Sequence, residues 1–433
     1  MLSLLKSLTE NKSVAILGFG REGRSTYKTL VKSGTNADIT ILDKFDFEDK
    51  KDFPVNIITG ENYMDNLSRF DLIFKSPGVV IPADVPREKI TSQTEIFLKK
   101  YKNQVIGITG TKGKSTTTTL IHHILKEKRG NAILVGNIGI PAFDKLTDID
   151  ENSIIVYELS CHQLEFASVS PHIAILLNLF PEHLDHYGTI ENYYNAKRNI
   201  YLHQDKNDML FVMKRYQPEG IKSQIISVSD MGADITFSRE ALTFKGEKTP
   251  IKRSEFSLIG DHNLYNISVA YGVCRTLGIS PDDIISAVKT YKSLPHRLEV
   301  FFEKDGVRYI DDSISTACET TIQGVLSIGD VGVLILGGMD RGIDYAPLIE
   351  FLRTQKVPDV ICMYDSGKRI FNEAKEIEGT NLVLVSDLKE ACDTAKSLVK
   401  SGSSCLLSPA SASYGNFKNF EERGEKFKEY IRG

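Results

Sequence analysis

Between Ile106 and Thr119 the chain reads Ile-Gly-Ile-Thr-Gly-Thr-Lys-Gly-Lys-Ser-Thr-Thr-Thr-Thr, a run suited to holding phosphate. It reads as a buried strand, a glycine-rich turn and a helix start. Gly110 and Gly113 let the backbone approach an anion closely, so that amide N–H groups can point at phosphate oxygens. Lys114 adds a positive charge for the β- and γ-phosphates, and Ser115 places a hydroxyl where Mg²⁺ would sit. Gly110, Thr111, Lys112, Gly113, Lys114, Ser115 and Thr116 are therefore the expected triphosphate cradle. The eight-residue P-loop pattern is missed by one position, since Ile108 stands where it asks for Gly. A Gly/Thr-rich turn with a chance Lys-Ser is the plainer alternative.

Further polar groups follow at strand ends. Val156-Tyr-Glu158-Leu-Ser-Cys-His-Gln163 leaves a strand in the same region, and a carboxylate there can bind Mg²⁺ directly or through water. Alone, Glu158 reads as a solvated surface residue; its place beside a P-loop favours the metal. Asn178-Leu-Phe-Pro-Glu-His183-Leu-Asp185-His186-Tyr187 follows the strand Ile173–Leu177, at the carboxyl end where α/β active sites form. His183 can hold a second cation, Asp185 can orient it and Asn178 can face the nucleotide; a turn-rich helix entry is the alternative. Lys197 lies on a helix, where a lysine ordinarily belongs to a solvated face. Asn263 and Asn266 open an apolar helix over Ile267–Leu277, as caps or as partners of a base. Arg297 suits charge stabilisation in phosphoryl transfer.

Two more sites stand at either end of the chain. Gly18-Phe19-Gly20-Arg21-Glu22-Gly23 follows the first strand, with the acid Asp43 ending the next. This GxGxxG run serves a diphosphate-bearing ligand or plain strand–helix packing. Ser76, Pro77 and Gly78 end the last strand there, as a turn or a ligand loop. Toward the C-terminus, Tyr309–Thr316, Leu336–Gly342, Leu407–Tyr414 and Asn419–Gly424 gather hydroxyls, amides and charges on one sheet edge, where a small polar substrate would bind.

The elements that must position these residues alternate between strand and helix almost throughout. Ser13–Leu17, Asp38–Leu42, Val55–Thr59 and Leu72–Lys75 read as strands, with a helix over Gly23–Ser33. A second series runs through Val105–Thr109, Ala132–Val135, Ser153–Glu158 and Ile173–Leu177. A third begins near Val300 and includes Val331–Leu336, Val360–Met363, Leu382–Val385 and Ser404–Leu407. This predicts an α/β protein of parallel sheets with helices on their faces. Three domains are expected: 1–94, Rossmann-like; 95–297, a central P-loop nucleotide-binding domain; and 298–433, Rossmann-like. The segment Met209–Lys252, with short apolar runs and turns, gives no clear element pattern.

Composition sets the outer bounds. A chain of 433 residues exceeds one core. A net charge of −4 gives no support for a nucleic-acid binder. Six scattered cysteines without a CxxC pair fit a reducing cytosol and argue against structural zinc. No apolar run reaches the roughly 18 residues of a membrane span, and the N-terminus is charged too early for a signal peptide. A cytoplasmic protein, a monomer, is expected.

Taken together, Gly110–Ser115, Tyr-Glu158-Leu-Ser, Asn178…Glu-His183-Leu-Asp185, Ala196-Lys197, Gly-Asp-His-Asn263…Asn266, His296-Arg297, Asp311-Asp312-Ser313 and the tail Ser408–Phe427 resemble the Mur ligases, the ATP-dependent amide-forming enzymes of peptidoglycan synthesis. The tail is most similar to the branch that adds glutamate to UDP-N-acetylmuramoyl-L-alanine. The resemblance implies ATP, two Mg²⁺ ions and a carbamylated Lys197 acting as an anionic metal partner, with Ser115, Glu158 and His183 as its companions. It implies a UDP substrate for the first domain, ATP for the second and an amino acid for the third, with nucleotide contacts at Asn266, Arg297 and Asp312. It implies UDP-substrate contacts at Gly18, Phe19, Gly20, Arg21, Asp43, Ser76, Pro77, Gly78, Asn137 and His183, and contacts to the incoming glutamate at Thr316, Ser413 and Phe420. Lys114, Glu158, His183, Lys197 and Asp312 form the implied catalytic set, with Asp312 and His183 as candidates for orienting or deprotonating the amine. Closure of the three domains around the ligands is expected, to keep water from the acyl phosphate. Two positions depart from the family pattern, Ile314 where a lysine is usual and Asn416 where the tail often has Gln. Both fall in the amino-acid site, which leaves L-glutamate or another amino acid as an alternative substrate. A non-catalytic UDP-sugar sensor is the alternative of a different class.

Overall fold

The computed structural model describes residues 1–260 and 262–433; residue 261 and the side chain of Asp185 lie outside the described residues. Three sheets follow one another along the chain.

The first sheet contains β1 (Ser13–Leu17), β2 (Asp38–Asp43), β3 (Asn56–Thr59), β4 (Leu72–Lys75) and β5 (Ile90–Thr91), in the order β3-β2-β1-β4-β5. All its pairings are parallel. Val14, Ala15, Ile16 and Leu17 are fully buried, as a strand covered on both faces requires. Because β1 has β2 on one side and β4 on the other, the Gly18 loop leaves the sheet where the strand order reverses.

The second sheet contains β6 (Val105–Thr109), β7 (Ala132–Gly136), β8 (Ile154–Glu158), β9 (Ile173–Leu176), β10 (Met209–Met213), β11 (Gln224–Ser229), β12 (Ile235–Phe237), β13 (Ala241–Phe244) and β14 (Glu247–Pro250). Its order is β14-β13-β12-β11-β10-β9-β6-β8-β7. The segment without a clear sequence pattern thus widens this sheet: β10, β11 and β12 join in parallel, and β13 and β14 close the edge as antiparallel strands. Strand β6 lies between β8 and β9, parallel to both, so the phosphate-type loop again leaves at a reversal of strand order.

The third sheet contains β15 (Glu299–Lys304), β16 (Val307–Asp311), β17 (Val331–Leu336), β18 (Asp359–Met363), β19 (Asn381–Val385) and β20 (Ser404–Leu407), in the order β15-β16-β20-β17-β18-β19. It is parallel except for the β15–β16 pair. Its central strands carry near-continuous apolar side chains, Val331 to Leu336 being buried throughout.

The chain divides into two compact units. Met1–Arg253 with Leu264–Thr290 holds the first two sheets, and Ser254–Asn263 with Tyr291–Gly433 holds the third. Within the first unit one apolar core runs from Ile16 and Phe74 to Val135 and Tyr157. Among the described residues no helix is long and apolar enough to cross a membrane.

Candidate active site

The loop after β6 has a backbone that only glycine fits at two points. Gly110 has φ +154°, and a Cβ there would stand 2.9 Å from Leu177 Cβ. Gly113 has φ +83°, and a Cβ there would stand 2.7 Å from Asn266 Oδ1. The helix Lys114–Arg129 begins at once, with Ser115 and the buried Thr116 in its first turn. Its opening N–H groups and positive dipole end favour an anion.

Asn178, expected to face a nucleotide, braces this loop. Its Oδ1 accepts from Lys112 N at 2.8 Å, its Nδ2 donates to Lys112 O at 2.9 Å, and its backbone carbonyl accepts from Thr111 N at 3.0 Å. Asn178→Ala should therefore lower the unfolding free energy by about 2 kcal/mol and raise KM for ATP. Denaturant melts and ATP titrations check this; an unchanged KM would mean the loop holds its shape unaided.

Two ammonium groups converge on one carbonyl. Lys114 Nζ donates to Gly110 O and Thr111 O, both at 3.0 Å, and Lys197 Nζ donates to the same Gly110 O at 2.8 Å. Lys197 sits on the helix Ile190–Arg198, is 1% exposed, and lies 4.9 Å from the centre of the Tyr193 ring. Burial first, and the Lys114 charge second, bring its pKa from 10.5 to about 7. Burial also lowers the pKa of Lys114, against the opposing pull of Glu158.

Glu158, at the end of β8, is 1% exposed. Its Oε1 accepts from Asn137 Nδ2 at 2.8 Å, while its Oε2 is buried without a hydrogen-bond partner. A buried, half-satisfied carboxylate is costly alone and suited to a cation. A carboxylate oxygen of this kind, with the hydroxyl that the sequence places at Ser115, is the oxygen chemistry that Mg²⁺ takes. His183 has a left-handed backbone, φ +55°, and its ring lies 5.8 Å from Tyr193 and 5.1 Å from His162. Burial, then the charges of His186 and His183, lower the His162 pKa to about 4. Asn266 is buried, and its Oδ1 accepts from Thr117 Oγ1 at 3.2 Å.

The Gly18 loop is tied down from three sides. Asp43 Oδ2 accepts from Phe19 N at 2.5 Å, Ser76 Oγ donates to Gly18 O at 2.6 Å, and Gly20 caps the helix Arg21–Lys32. The Phe19 side chain is 3% exposed, packed against Phe53 and Phe47 at 4.8 and 5.2 Å. It belongs to the core, so only its backbone is offered to a ligand. Pro77 and Gly78, φ +80°, turn the chain beside it. Arg21 Nη1 donates to Gly139 O at 3.0 Å, which brings the Asn137–Gly139 turn of the second sheet to the first. Asn137 then donates to Glu158 at the end of β8, so the N-terminal loop and Glu158 meet the same turn. Behind it, Glu22 accepts from Gln163 Nε2 at 3.1 Å, and burial raises its pKa to about 7.

The second unit has its own polar edge. Asp312 is 3% exposed; it accepts from Leu298 N at 3.2 Å and Ser408 Oγ at 2.8 Å. Burial raises its pKa to about 6, against those hydrogen bonds and the Arg297 charge. Thr316 is half-buried just ahead of the helix Cys318–Ile328, Ser413 is buried, and Phe420 opens the helix Phe420–Arg432. Ser313 Oγ donates to Phe420 O at 2.9 Å, joining two of those segments. Arg341 and Lys418, charges near these loops in sequence, are exposed. His296, Glu299 and Asp311 have ligand atoms within 4.8 Å of one another. Lys428 Nζ already lies 2.8 Å from Glu299 and 3.6 Å from Asp311, so this trio is ion-paired rather than a metal centre.

The sequence as a whole decides the family. The Mur ligase middle domain matches residues 108–274. A UDP-N-acetylmuramoylalanine--D-glutamate ligase of Clostridium botulinum strain Hall is 32% identical over 455 residues, covering 99% of this chain and 98% of the relative. The protein of that name from Acetivibrio thermocellus is 32% identical over 464 residues, with the same shares covered. The chain belongs to the Mur ligase family. Among solved structures, MurF ligase of Thermotoga maritima in complex with ADP is similar with a TM-score of 0.61 at 19% identity, over 100% of this chain and 98% of that one. UDP-N-acetylmuramate-alanine ligase MurC of Thermotoga maritima is also similar, with a TM-score of 0.61 at 19% identity, over 98% and 99%. These share the fold: a Rossmann-like N-terminal domain, a central ATPase domain and a C-terminal domain.

Mur ligases are ATP-dependent amide ligases that use Mg²⁺. In this Mur ligase, sequence reasoning did not reach the bracing role of Asn178 or the anchoring role of Arg423. Arg423 is fully buried in the Asn419–Gly424 motif and donates to Ser313 Oγ, Ser313 O and Ser411 O. A signal was present: an arginine on the first turn of an otherwise amphipathic helix, beside a glycine.

Proposed function

We propose that this Mur ligase joins D-glutamate to UDP-N-acetylmuramoyl-L-alanine, using ATP, as a cytoplasmic step of peptidoglycan precursor synthesis. Relatives of that name match it end to end. The observation that carries the chemistry is the pairing of Lys114 and Lys197 on Gly110 O beside a buried Glu158 with an unpartnered oxygen.

A carboxylate is a poor acyl donor because its leaving group would be oxide. Its oxygen instead attacks the γ-phosphorus of ATP, and ADP leaves. The amine of glutamate then attacks the acyl carbon, and phosphate leaves as the amide forms. Lys114 stabilises the charge on the transferred phosphoryl group, and the loop N–H groups fix its position. Ser115, Glu158, His183 and a carbamylated Lys197 would hold two Mg²⁺ ions, whose contribution is to neutralise charge on the phosphates. Carbamylation joins the neutral Lys197 amine to CO₂ with loss of one proton, leaving an anion where the protonated lysine would be a cation. The Gly18 loop, Asp43, Ser76 and the Asn137 turn are assigned to the UDP substrate. Asn266, Arg297 and Asp312 are assigned to the nucleotide, and Thr316, Ser413 and Phe420 to the amino acid. Asp312 and His183 are the candidates for orienting the amine or taking the proton it loses as the amide forms.

The test is phosphate release from ATP with Mg²⁺, UDP-N-acetylmuramoyl-L-alanine and a panel of D- and L-amino acids. Release with D-glutamate alone is expected. Release only with another amino acid would reassign the substrate, as Ile314 and Asn416 would then explain. Nucleotide-sugar binding without release for any amino acid would overturn the ligase reading in favour of a sensor.

A further inference from the structure

Arg423 is the largest of the fully buried side chains, 0% exposed. Burial lowers its pKa to about 10, so it stays charged at neutral pH. Among the described residues no carboxylate forms an ion pair with it. All three of its nitrogens are used on two strand-exit loops instead. Nε donates to Ser313 Oγ at 3.0 Å and Nη2 to Ser313 O at 2.8 Å, both in the loop after β16. Nη1 donates to Ser411 O at 2.9 Å, in the loop after β20. A third exit loop lies against the guanidinium: a Cβ on Gly338, after β17, would stand 2.9 Å from Nη1. Since β16, β20 and β17 are neighbours in the sheet, one planar group spans the carboxyl ends of three adjacent strands.

Secondary contacts bind these loops to the same point. Ser313 Oγ passes the link on to Phe420 O at 2.9 Å. Ser411 Oγ meets Ser366 Oγ at 2.8 Å and Tyr345 OH at 2.9 Å, and Ser366 Oγ donates to Gly338 O at 3.0 Å. Thr316, Ser413 and Phe420 therefore sit three, two and zero residues from atoms tied directly or through Ser313 to Arg423.

We infer that Arg423 is the positioning residue of the amino-acid site: its guanidinium fixes the spacing of the loops that carry Thr316, Ser413 and Phe420. This rests on the assignment of those three residues to the amino acid. The fork is rigid and directs three N–H bonds at fixed angles, which a lysine cannot reproduce even though it keeps the charge. A shift of about 1 Å in a binding loop is enough to cost on the order of 10²-fold in a reaction that depends on placement.

The experiment compares wild type with Arg423→Lys by two readouts. In steady-state kinetics, Arg423→Lys should raise KM for the amino acid about tenfold or more while KM for ATP and for UDP-N-acetylmuramoyl-L-alanine stays within about twofold. In amide hydrogen exchange, Ser313–Thr316 and Ser411–Ser413 should lose protection together. Ser313→Ala, which removes only the hydroxyl acceptor, should shift the amino-acid KM the same way and serves where Arg423→Lys does not fold. An active enzyme whose amino-acid KM is unchanged, or whose three KM values rise alike, would overturn the inference. Should wild type turn over no amino acid, the proposed function fails separately. Hydrogen exchange then decides the anchor alone, joint loss of protection supporting it and unchanged protection overturning it.

Discussion

Lys114→Met should lower kcat by about 10²–10³-fold, the usual effect of removing one donor aimed at charge that develops in the transition state. Methionine keeps the length and most of the apolar stem, so the helix Lys114–Arg129 and its glycine turn should persist and melts should change little. The ammonium now rests on Gly110 O and Thr111 O, within reach of any phosphate held by the loop. A second consequence follows from the shared carbonyl. Lys114 is the second-largest cause of the lowered Lys197 pKa. Removing that charge should raise the Lys197 pKa, so the acid limb of the residual activity should move to higher pH. Phosphate release across pH measures both effects. Near-normal kcat would remove Lys114 from the phosphoryl-transfer step, and an unmoved limb would separate the two lysines.

What the sequence disclosed depended on how local the responsible physics is. Strands β1, β6 and β17 were legible because burial on both faces demands unbroken apolar runs such as Val14–Leu17 and Val331–Leu336. The phosphate-type loop was legible because Gly110 and Gly113 answer a backbone demand within a few residues. Strands β10 to β14 were not, since they are short, follow one another without α-helices between them, and toward the edge mix exposed and buried positions, as in Glu247–Pro250. Lys197 reads as a surface lysine until the helix is in place. Tyr193, Ala196 and Lys197 then share the buried face, at helical spacing. Asn178 and Arg423 act through contacts 66 and 110 residues distant in sequence, a scale on which no local pattern reports.

Lys197→Ala should abolish turnover, and wild-type activity should fall on the acid side of about pH 7. The argument starts from burial: at 1% exposure the ammonium loses hydration, and Lys114 adds like-charge repulsion, so the amine is half neutral near pH 7 rather than near 10.5. Only the neutral amine combines with CO₂. Above pH 7 the neutral form dominates and the proposed carbamate can form; below it each pH unit removes about nine-tenths of the reactive amine. A folded-state pKa this far below the ordinary value gives activity that rises with pH, the reverse of a site needing the lysine as a cation. Activity should therefore also drop in CO₂-depleted buffer and return when bicarbonate is added, whereas the Lys197→Ala protein should not respond to bicarbonate. Phosphate release under both atmospheres checks this. Normal turnover by Lys197→Ala, or wild-type activity indifferent to CO₂, would leave Lys197 as a cation that holds Gly110 and nothing more.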